Sequence, residues 1–272
     1  MKSPAGIDVV DRFPPLRKHL LELFAGLSEE DWVRPTAALR WSVKDVASHL
    51  LGGDVWVLSG KRYGFRVQRE FTNLVDQVNG LNEEWVLANR RLSARLLREF
   101  PAFTGPQVEA YFSSMDPAAM GEPVSWAGPD AAPVWFDLAR EFTERWHHQR
   151  QIRDATGKPP LYDTYFLTPV LDTFVRALPY NFRETKATEG TVVRFEISGQ
   201  AGGVWFLTRT GQAWELSVES EGGAAADVVL PQDTAWRMFT KGVDAGRARA
   251  ASVVRGNASL AAPIFRTISV IG

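Results

Sequence analysis

The chain has 272 residues, enough for one large domain or two of ordinary size. Its 31 basic and 32 acidic residues nearly balance, which argues against a nucleic-acid partner, because such partners usually require a basic face. The absence of cysteine excludes disulfides, thiolate metal ligands and a cysteine nucleophile within the chain. No apolar stretch approaches the roughly 20 residues that cross a bilayer, and the N-terminus lacks the apolar centre of a signal peptide. We therefore expect a cytoplasmic protein with no membrane partner.

Helices are predicted over the first two thirds of the chain. Four leucines at helical spacings predict a helix over residues 8–26: Leu16, Leu20, Leu23 and Leu27. Ser42 is a good N-cap with Asp45 three residues later, so a second helix is predicted to begin there and run to about residue 60. The remaining predicted helices cover residues 82–100, residues 105–114, the stretch between Pro133 and Gly157, and residues 164–178.

Strands are predicted in the last third of the chain. Val193, Phe195 and Ile197 alternate with charged residues, as is typical of a half-buried strand. Similar patterns follow at GGVWFLTRTG and around Trp214, and strand-to-helix steps follow at ADVVLPQDTAWRMFTKG and SVVRGNASLAAPIFRTI. The predicted fold is therefore an all-helical region followed by a small α+β region. The polar stretch RETKATEG places the boundary near residues 183–190, which predicts domains at residues 1–185 and 190–272.

The chain contains only four histidines, and their positions indicate a metal site. Glu144 and His148 lie four residues apart in one predicted helix, so they differ by roughly 40° around its axis and face the same way. His49, in the second helix, is the candidate for a third ligand from another part of the chain. Two imidazoles and one carboxylate match the ligand set of open catalytic zinc sites. The sequence therefore predicts one divalent metal ion, most simply zinc, held by these three residues.

Two alternatives concern the neighbouring His147. On a helical wheel His147 falls beyond the far edge of the apolar arc, away from the polar stripe that contains Glu144, so His148 is preferred as the ligand. Glu144 and His147 also form a Glu-x-x-His pair, which occurs in di-iron carboxylate bundles. That kind of site needs a second copy of the motif, and neither His19 nor His49 has a glutamate three residues before it.

Two segments resemble a known family. LRWSVKDVASHLLGGD is similar to the first signature of the DinB-like, mycothiol-dependent maleylpyruvate isomerase family, and FTERWHHQRQIRDATG is similar to the second. The resemblance implies an N-terminal DinB-like four-helix bundle whose metal ligands are His49, Glu144 and His148. The C-terminal part looks like the sterol-carrier-like domain often joined to this bundle. Characterised members use zinc and the thiol mycothiol, so a small-molecule substrate and a thiol are the implied partners.

The implied function is a metal-dependent enzyme that uses a low-molecular-weight thiol in isomerisation or in transfer to a small electrophile. One alternative is a metal-dependent hydrolase that activates water, with Glu141 as its base. The other is a non-catalytic carrier that binds a small apolar ligand, with a structural metal. A structural zinc normally has four protein ligands, and the sequence offers three. The sequence assigns no catalytic residue, and it does not reveal the oligomeric state.

Several neighbouring residues have two interpretations each. Asp45 could accept a hydrogen bond from the second ring nitrogen of His49, or it could serve only at the start of its helix. Three arginines could meet a substrate carboxylate, or they could pair with Glu141 and Asp154: Arg145, Arg150 and Arg153. Trp41 and Trp146 are predicted core anchors, and His19 is predicted to be structural.

Overall fold

The structure of the protein is a computed structural model that describes residues 2–38, 40–65, 70–220 and 222–270. The chain forms two compact units. The helical unit contains residues 9–116 and 141–161, and the sheet unit contains residues 2–8, 117–140 and 162–270.

The helical unit is built from long helices joined by short turns. A 3₁₀ turn at Val10–Arg12 leads into the first helix, and a π-helical turn at Val57–Arg62 extends the third. The helices are α1 (Phe13–Ala25), α2 (Glu29–Trp32), α3 (Val43–Trp56), α4 (Leu74–Asn89), α5 (Ala94–Ser113) and α6 (Val134–Thr156), of which residues 141–156 belong to this unit.

A shared apolar core holds these helices together. Phe24 of α1, Leu97 of α5 and Ile152 of α6 are fully buried in one cluster with Val46 and Ala47 of α3. Each of these helices contributes an apolar stripe at spacings of three and four, which is what an amphipathic helix buries against its neighbours. The predicted four-helix arrangement is therefore formed by α1, α3, α5 and α6.

The predicted helices over residues 82–100 and 105–114 were wrong in their bounds. The structure has α4 ending at Asn89 and α5 running unbroken from Ala94 to Ser113. Ser93 separates them, because its side chain accepts a hydrogen bond from the backbone N–H of Leu96 and so caps the start of α5. The leucines of residues 92–97 continue the apolar spacing across this break, and periodicity alone therefore did not reveal it.

A close approach fixes α4 against α3. A Cβ atom at Gly52 of α3 would lie 2.6 Å from Cβ of Trp85 in α4, so glycine allows the two helices to approach this closely. Asn89 of α4 also donates a hydrogen bond of 3.0 Å to the backbone oxygen of Ser48. These contacts hold α4 beside the helix that carries His49.

The sheet unit contains a two-stranded and a five-stranded sheet. The strands of the small sheet are β1 (Met120–Pro123) and β2 (Ala131–Pro133). Those of the large sheet are β3 (Val192–Ser198), β4 (Gly203–Thr210), β5 (Ala213–Ser217), β6 (Ala226–Pro231) and β7 (Val253–Gly256), in the order β5-β4-β3-β6-β7. The central strand β3 is antiparallel to β4 and parallel to β6. Its apolar residues Val193, Phe195 and Ile197 are buried, which confirms the predicted alternation.

Short helices complete the sheet unit. They are α7 (Thr164–Val175), α8 (Leu178–Phe182), α9 (Gln232–Phe239), α10 (Ala245–Ala250) and α11 (Ala258–Ala261), followed by a 3₁₀ turn at Ala262–Arg266. The helix predicted over residues 164–178 is shorter than expected. Pro179 lies in the first turn of α8 instead of closing α7, in keeping with the tolerance of proline for a first helical turn.

The predicted fold class, a helical region followed by a sheet-containing region, is confirmed. The predicted division into domains at residues 1–185 and 190–272 stays a prediction. Within the described residues, no helix combines the length and the apolar character that crossing a bilayer requires.

Candidate metal centre

The start of α3 determines where His49 lies. The Ser42 side chain accepts a hydrogen bond from the backbone N–H of Asp45, and the Asp45 carboxylate accepts one from the backbone N–H of Ser42. Asp45 also forms an ion pair of 2.8 Å with Arg90. The carboxylate of Asp45 is thus engaged in the capping box and the ion pair, as its structural interpretation predicted. His49 follows one turn later and is buried.

Three side chains converge between α3 and α6. Nε2 of His49 and Nε2 of His148 each lie 2.9 Å from the same atom, Oε1 of Glu144. One ligand atom from each residue lies within 4.8 Å of the other two. Both imidazoles are buried, whereas the Glu144 side chain is 43% exposed. This candidate metal centre (His49, Glu144 and His148) is therefore closed on its histidine side and open to solvent beside the glutamate.

Gln151 determines which ring nitrogen of His148 carries the proton. Nδ1 of His148 donates a hydrogen bond of 2.7 Å to Oε1 of Gln151. The amide nitrogen of Gln151, which can only donate, lies 3.0 Å from Nε2 of His147. In neutral His148 the lone pair then lies on Nε2 and faces Glu144, as metal coordination requires.

The charges of the three groups depend on one another. Burial lowers the pKa of His49, and the neighbouring His148 lowers it further. Desolvation acts to raise the pKa of Glu144, but His148 and His49 outweigh it and hold that pKa well below its ordinary value. Desolvation acts to lower the pKa of His148, but Glu144 outweighs it and raises that pKa. The carboxylate is therefore ionised, and it draws a positive charge to the side chain of His148.

The donor set fits a divalent cation. With both imidazoles neutral, the lone pair of His148 Nε2 faces a carboxylate oxygen at 2.9 Å, and two acceptors this close need a proton or a cation between them. Two imidazole nitrogens and one carboxylate form the protein part of an open zinc site, in which a further position stays free for another ligand. Their single negative charge would be compensated by such an ion.

Comparison with known proteins gives the family. The sequence matches the family model of the mycothiol maleylpyruvate isomerase N-terminal domain over residues 13–153, slightly more than half of the chain. The chain belongs to this family. His49, Glu144 and His148 all lie inside the matched region. Among curated proteins, no sequence matches the chain significantly.

Solved structures show a related fold. The chain is similar to the crystal structures of the mycothiol-dependent maleylpyruvate isomerase and of a histidine-to-alanine variant of it. Each match has 10% sequence identity and a TM-score of 0.56, and covers 93% of this chain and 95% of the other. At this identity the similarity shows a shared fold. A match to a ubiquinone synthesis protein, UbiJ-SCP2, covers 38% of this chain and 90% of the other at 18% identity. Its TM-score of 0.25 is too low to show a shared fold. The sterol-carrier-like character of the C-terminal part stays a prediction.

In this member of the isomerase family, Glu141 and Arg145 belong to a second cluster, the buried ion network. Its centre is formed by the buried residues Arg17, Asp54 and Arg145, and the half-buried Glu141 and the exposed Lys61 lie at its edge. Arg145 donates to Asp54 at 3.2 Å and to Glu141 at 2.6 Å, while Lys61 donates to the other oxygen of Glu141 at 3.1 Å. Burial acts to raise the pKa of Glu141, but Lys61 and Arg145 outweigh it and lower that pKa to about 2. Glu141 is thus unsuited to act as a general base near neutral pH.

The other arginines also have protein partners. Arg150 forms an ion pair of 2.7 Å with Asp154. Arg153 donates to the backbone oxygens of Pro159 and His19. Arg145 and Arg150 thus pair with Glu141 and Asp154, as their structural interpretation predicted, whereas Arg153 bonds to backbone oxygens and to Gln149 instead. A role of these arginines as substrate ligands stays a prediction.

Two residues at the centre were not predicted to act there. Trp146 is a fully buried core anchor, as expected. Trp41 is half-buried and packs against the apolar core, and its ring centroid also lies 5.0 Å from that of His49. Gln151 was not singled out, although it lies three residues after His148 and therefore on the same helical face. His19 lies on α1 near Glu22 and takes no part in the centre, as predicted.

Proposed function

We propose that this chain is a metal-dependent enzyme that uses a low-molecular-weight thiol, of the mycothiol type, to isomerise a small electrophile or to transfer the thiol to it. The observation that carries the proposal is the convergence of His49, Glu144 and His148 on one point, with an open side at Glu144. Membership of a family named for a mycothiol-dependent isomerase supports the thiol. The chain has no cysteine, so the sulfur would have to come from a co-substrate.

Each residue of the centre has a role in this proposal. His49, Glu144 and His148 would hold one divalent ion, of which zinc suits the donor set best. Such an ion lowers the pKa of a coordinating thiol and makes the thiolate available at neutral pH. Gln151 keeps the proton of His148 on Nδ1, so that Nε2 stays available as a ligand. The partial exposure of Glu144 leaves a route for the thiol and the electrophile.

The chemistry of the two outcomes differs only in its last step. The sulfur donates an electron pair to one carbon of a conjugated double bond, and the π electrons move onto the conjugated carbonyl oxygen. The former double bond is now single and rotates. Expulsion of the thiolate then returns the electrons and gives the isomer. Protonation of the other carbon of the former double bond, next to the carbonyl, instead restores the carbonyl and gives the thiol adduct as product.

The hydrolase alternative is disfavoured by the surroundings of Glu141. A base that takes a proton from water near neutral pH needs a pKa near that pH. The pKa of Glu141 is about 2, and both of its carboxylate oxygens are engaged by Arg145 and Lys61.

A cytoplasmic location stays a prediction from the sequence.

The test is a thiol titration of the full chain loaded with cobalt(II), which gives a sulfur-to-metal charge-transfer band when a thiolate binds. We expect mycothiol to produce this band and the loaded protein to convert maleylpyruvate, followed by mass spectrometry and absorbance. His49→Ala should lose both signals, whereas His19→Ala, a histidine outside the centre, should keep both. Absence of the band with mycothiol in the metal-loaded unsubstituted protein would overturn the proposal.

A further inference from the structure

An open pocket of about 570 Å³ lies within the helical unit beside the candidate metal centre. Its lining residues come from the turn before α3 and from one face of α4: Arg40, Trp41, Asn79, Asn82 and Glu83. The three residues of α4 are spaced by three and four positions, so they face the pocket together. The contacts of α4 with Gly52 and Ser48 hold this face beside α3.

Trp41 is common to the pocket and the metal centre. Its ring centroid lies 5.0 Å from that of His49 and 6.3 Å from that of His148. Its indole N–H donates a hydrogen bond of 3.2 Å to Glu83, which holds the ring in this orientation. A ligand in the pocket would therefore meet the indole that packs against the proposed ligands of the metal.

The lining has unused hydrogen-bonding capacity. Among the residues that the structure describes, the side chains of Arg40, Asn79 and Asn82 have no hydrogen-bond or ion-pair partner. Arg40 also has a φ of 73°, in the left-handed region that a side chain of this size rarely adopts. Strained backbone of this kind is concentrated at binding sites and catalytic sites.

The chemistry of the lining favours an uncharged, hydroxyl-rich ligand. Amide groups both donate and accept hydrogen bonds, a guanidinium donates, and a carboxylate accepts, so together they suit hydroxyl groups, which do both. The indole of Trp41 offers an apolar surface for the carbon skeleton. Arg40 and Glu83 carry opposite charges, and a dicarboxylate substrate in the pocket would be repelled by Glu83.

We propose that this pocket binds the hydroxyl-rich part of the thiol co-substrate, while its sulfur occupies the adjoining metal centre. The inference rests on the proposed function, because it assigns a place to the sugar-like portion of a thiol of the mycothiol type. The pocket then determines which cellular thiol the protein accepts, since the metal centre would bind the sulfur of any of them.

The test compares two thiols on the cobalt(II)-loaded full chain. Mycothiol carries a hydroxyl-rich group on an acetylated cysteine, and N-acetylcysteine lacks that group. The double variant Asn79→Ala/Asn82→Ala should raise the Kd for mycothiol about 10-fold or more, through lost hydrogen bonds. The Kd for N-acetylcysteine should stay within about two-fold of its original value, because the metal centre is unaltered. Gln77→Ala, an exposed residue of α4 outside the pocket, is the matched control and should change neither value.

The outcomes separate the pocket from the proposed function. If the double variant binds mycothiol as tightly as the unsubstituted protein, the pocket assignment is overturned and the thiol-dependent function stands. Equal weakening of both thiols also overturns it, because the damage then lies at the metal centre. If neither thiol gives a charge-transfer band with the unsubstituted protein, the proposed function fails first.

Discussion

Two polar clusters draw carboxylates from the helices α3 and α6, and they differ in how their charges are compensated. The buried ion network also includes Arg17 of α1 and Lys61 of the π-helical turn, whereas the candidate metal centre uses α3 and α6 alone. In the buried ion network, Asp54 accepts from Arg17 at 2.7 Å, from Arg145 at 3.2 Å and from the Thr104 hydroxyl at 2.7 Å. In the candidate metal centre, the partners of Glu144 among the described residues are two imidazoles. One carboxylate has permanent cations beside it, and the other does not.

One helical bundle thus keeps the charges that stabilise it apart from those available for chemistry. Burying a carboxylate is costly unless it is paired, and Arg17 and Arg145 supply that pairing for the fully buried Asp54. Imidazoles compensate a carboxylate only when one of them takes up a proton. With neutral imidazoles the negative charge of Glu144 is therefore uncompensated. The open side of the metal centre at Glu144 allows a cation from solution to bind and neutralise this charge.

The largest expected effect comes from removing the shared carboxylate of the metal centre. Glu144→Ala deletes the oxygen on which both imidazoles converge. Loss of a residue that only supports a ligand typically costs roughly 10–100-fold in metal affinity, and we expect loss of the ligand itself to exceed this. Metal analysis of protein purified without a histidine tag should show about one equivalent in the unsubstituted chain and almost none in the variant. Equal metal content in the two proteins would contradict the assignment.

Breaking the buried ion network should reduce stability instead. Asp54→Ala leaves Arg17 and Arg145 buried without their common partner, which should lower the free energy of unfolding by about 3–5 kcal/mol in urea denaturation. Asp54→Asn keeps the shape and provides a milder variant if the alanine variant does not fold. In the folded fraction, metal content should be unchanged.

An exposed ion pair serves as the control for this effect. Glu99→Ala removes the partner of Arg95 on the surface of α5, where water screens the interaction, so little change is expected. If the Asp54→Asn variant were as stable as the Glu99→Ala variant, the buried ion network would not be the more stabilising of the two polar clusters.

The low pKa of Glu141 predicts a pH-dependent contribution to stability. Its folded pKa is about 2 and its ordinary value is 4.5, so the contribution is fully present above the ordinary value and is lost as the pH falls toward the folded one. The unfolding free energies of the unsubstituted chain and of Glu141→Gln should differ by at most about 3 kcal/mol near neutral pH. Urea denaturation at a series of pH values should show this difference shrinking below about pH 5. If the difference in unfolding free energy between the two proteins grew as the pH fell, the stabilising role of ionised Glu141 would be contradicted.

The smallest expected effect concerns Gln151, which orients a ligand without contacting the metal position. Gln151→Met keeps the length of the side chain but removes the acceptor for Nδ1 of His148. We expect metal affinity, measured by competition with a chelator, to fall by roughly 10–100-fold. Gln151→Glu retains an acceptor and should recover most of that loss. Unchanged affinity in the methionine variant would assign Gln151 to packing alone.

The candidate ligands and the class of the fold could be predicted from the order of the residues alone. Four-residue spacing puts Glu144 and His148 on one face of a helix whatever surrounds it, and alternation marks β3 as a half-buried strand in any context. The scarcity of histidines made His49 the candidate third ligand, and the family resemblance implied the same residue. These are properties of a single element or of a motif, and so they can be read locally.

The roles of the neighbouring side chains depend on contacts that form when the helices pack together. Periodicity gives the angle of a residue around its own helix, but it does not say which face of another helix that residue meets. For this reason Glu141 could be mistaken for a base until Lys61, 80 positions away, was found on its carboxylate. Trp41 likewise packs against the core as predicted, but it also contacts His49 and lines the pocket once α4 is packed against α3. Contacts between residues distant in sequence set the charges and the shape of the site, and the linear pattern does not contain them.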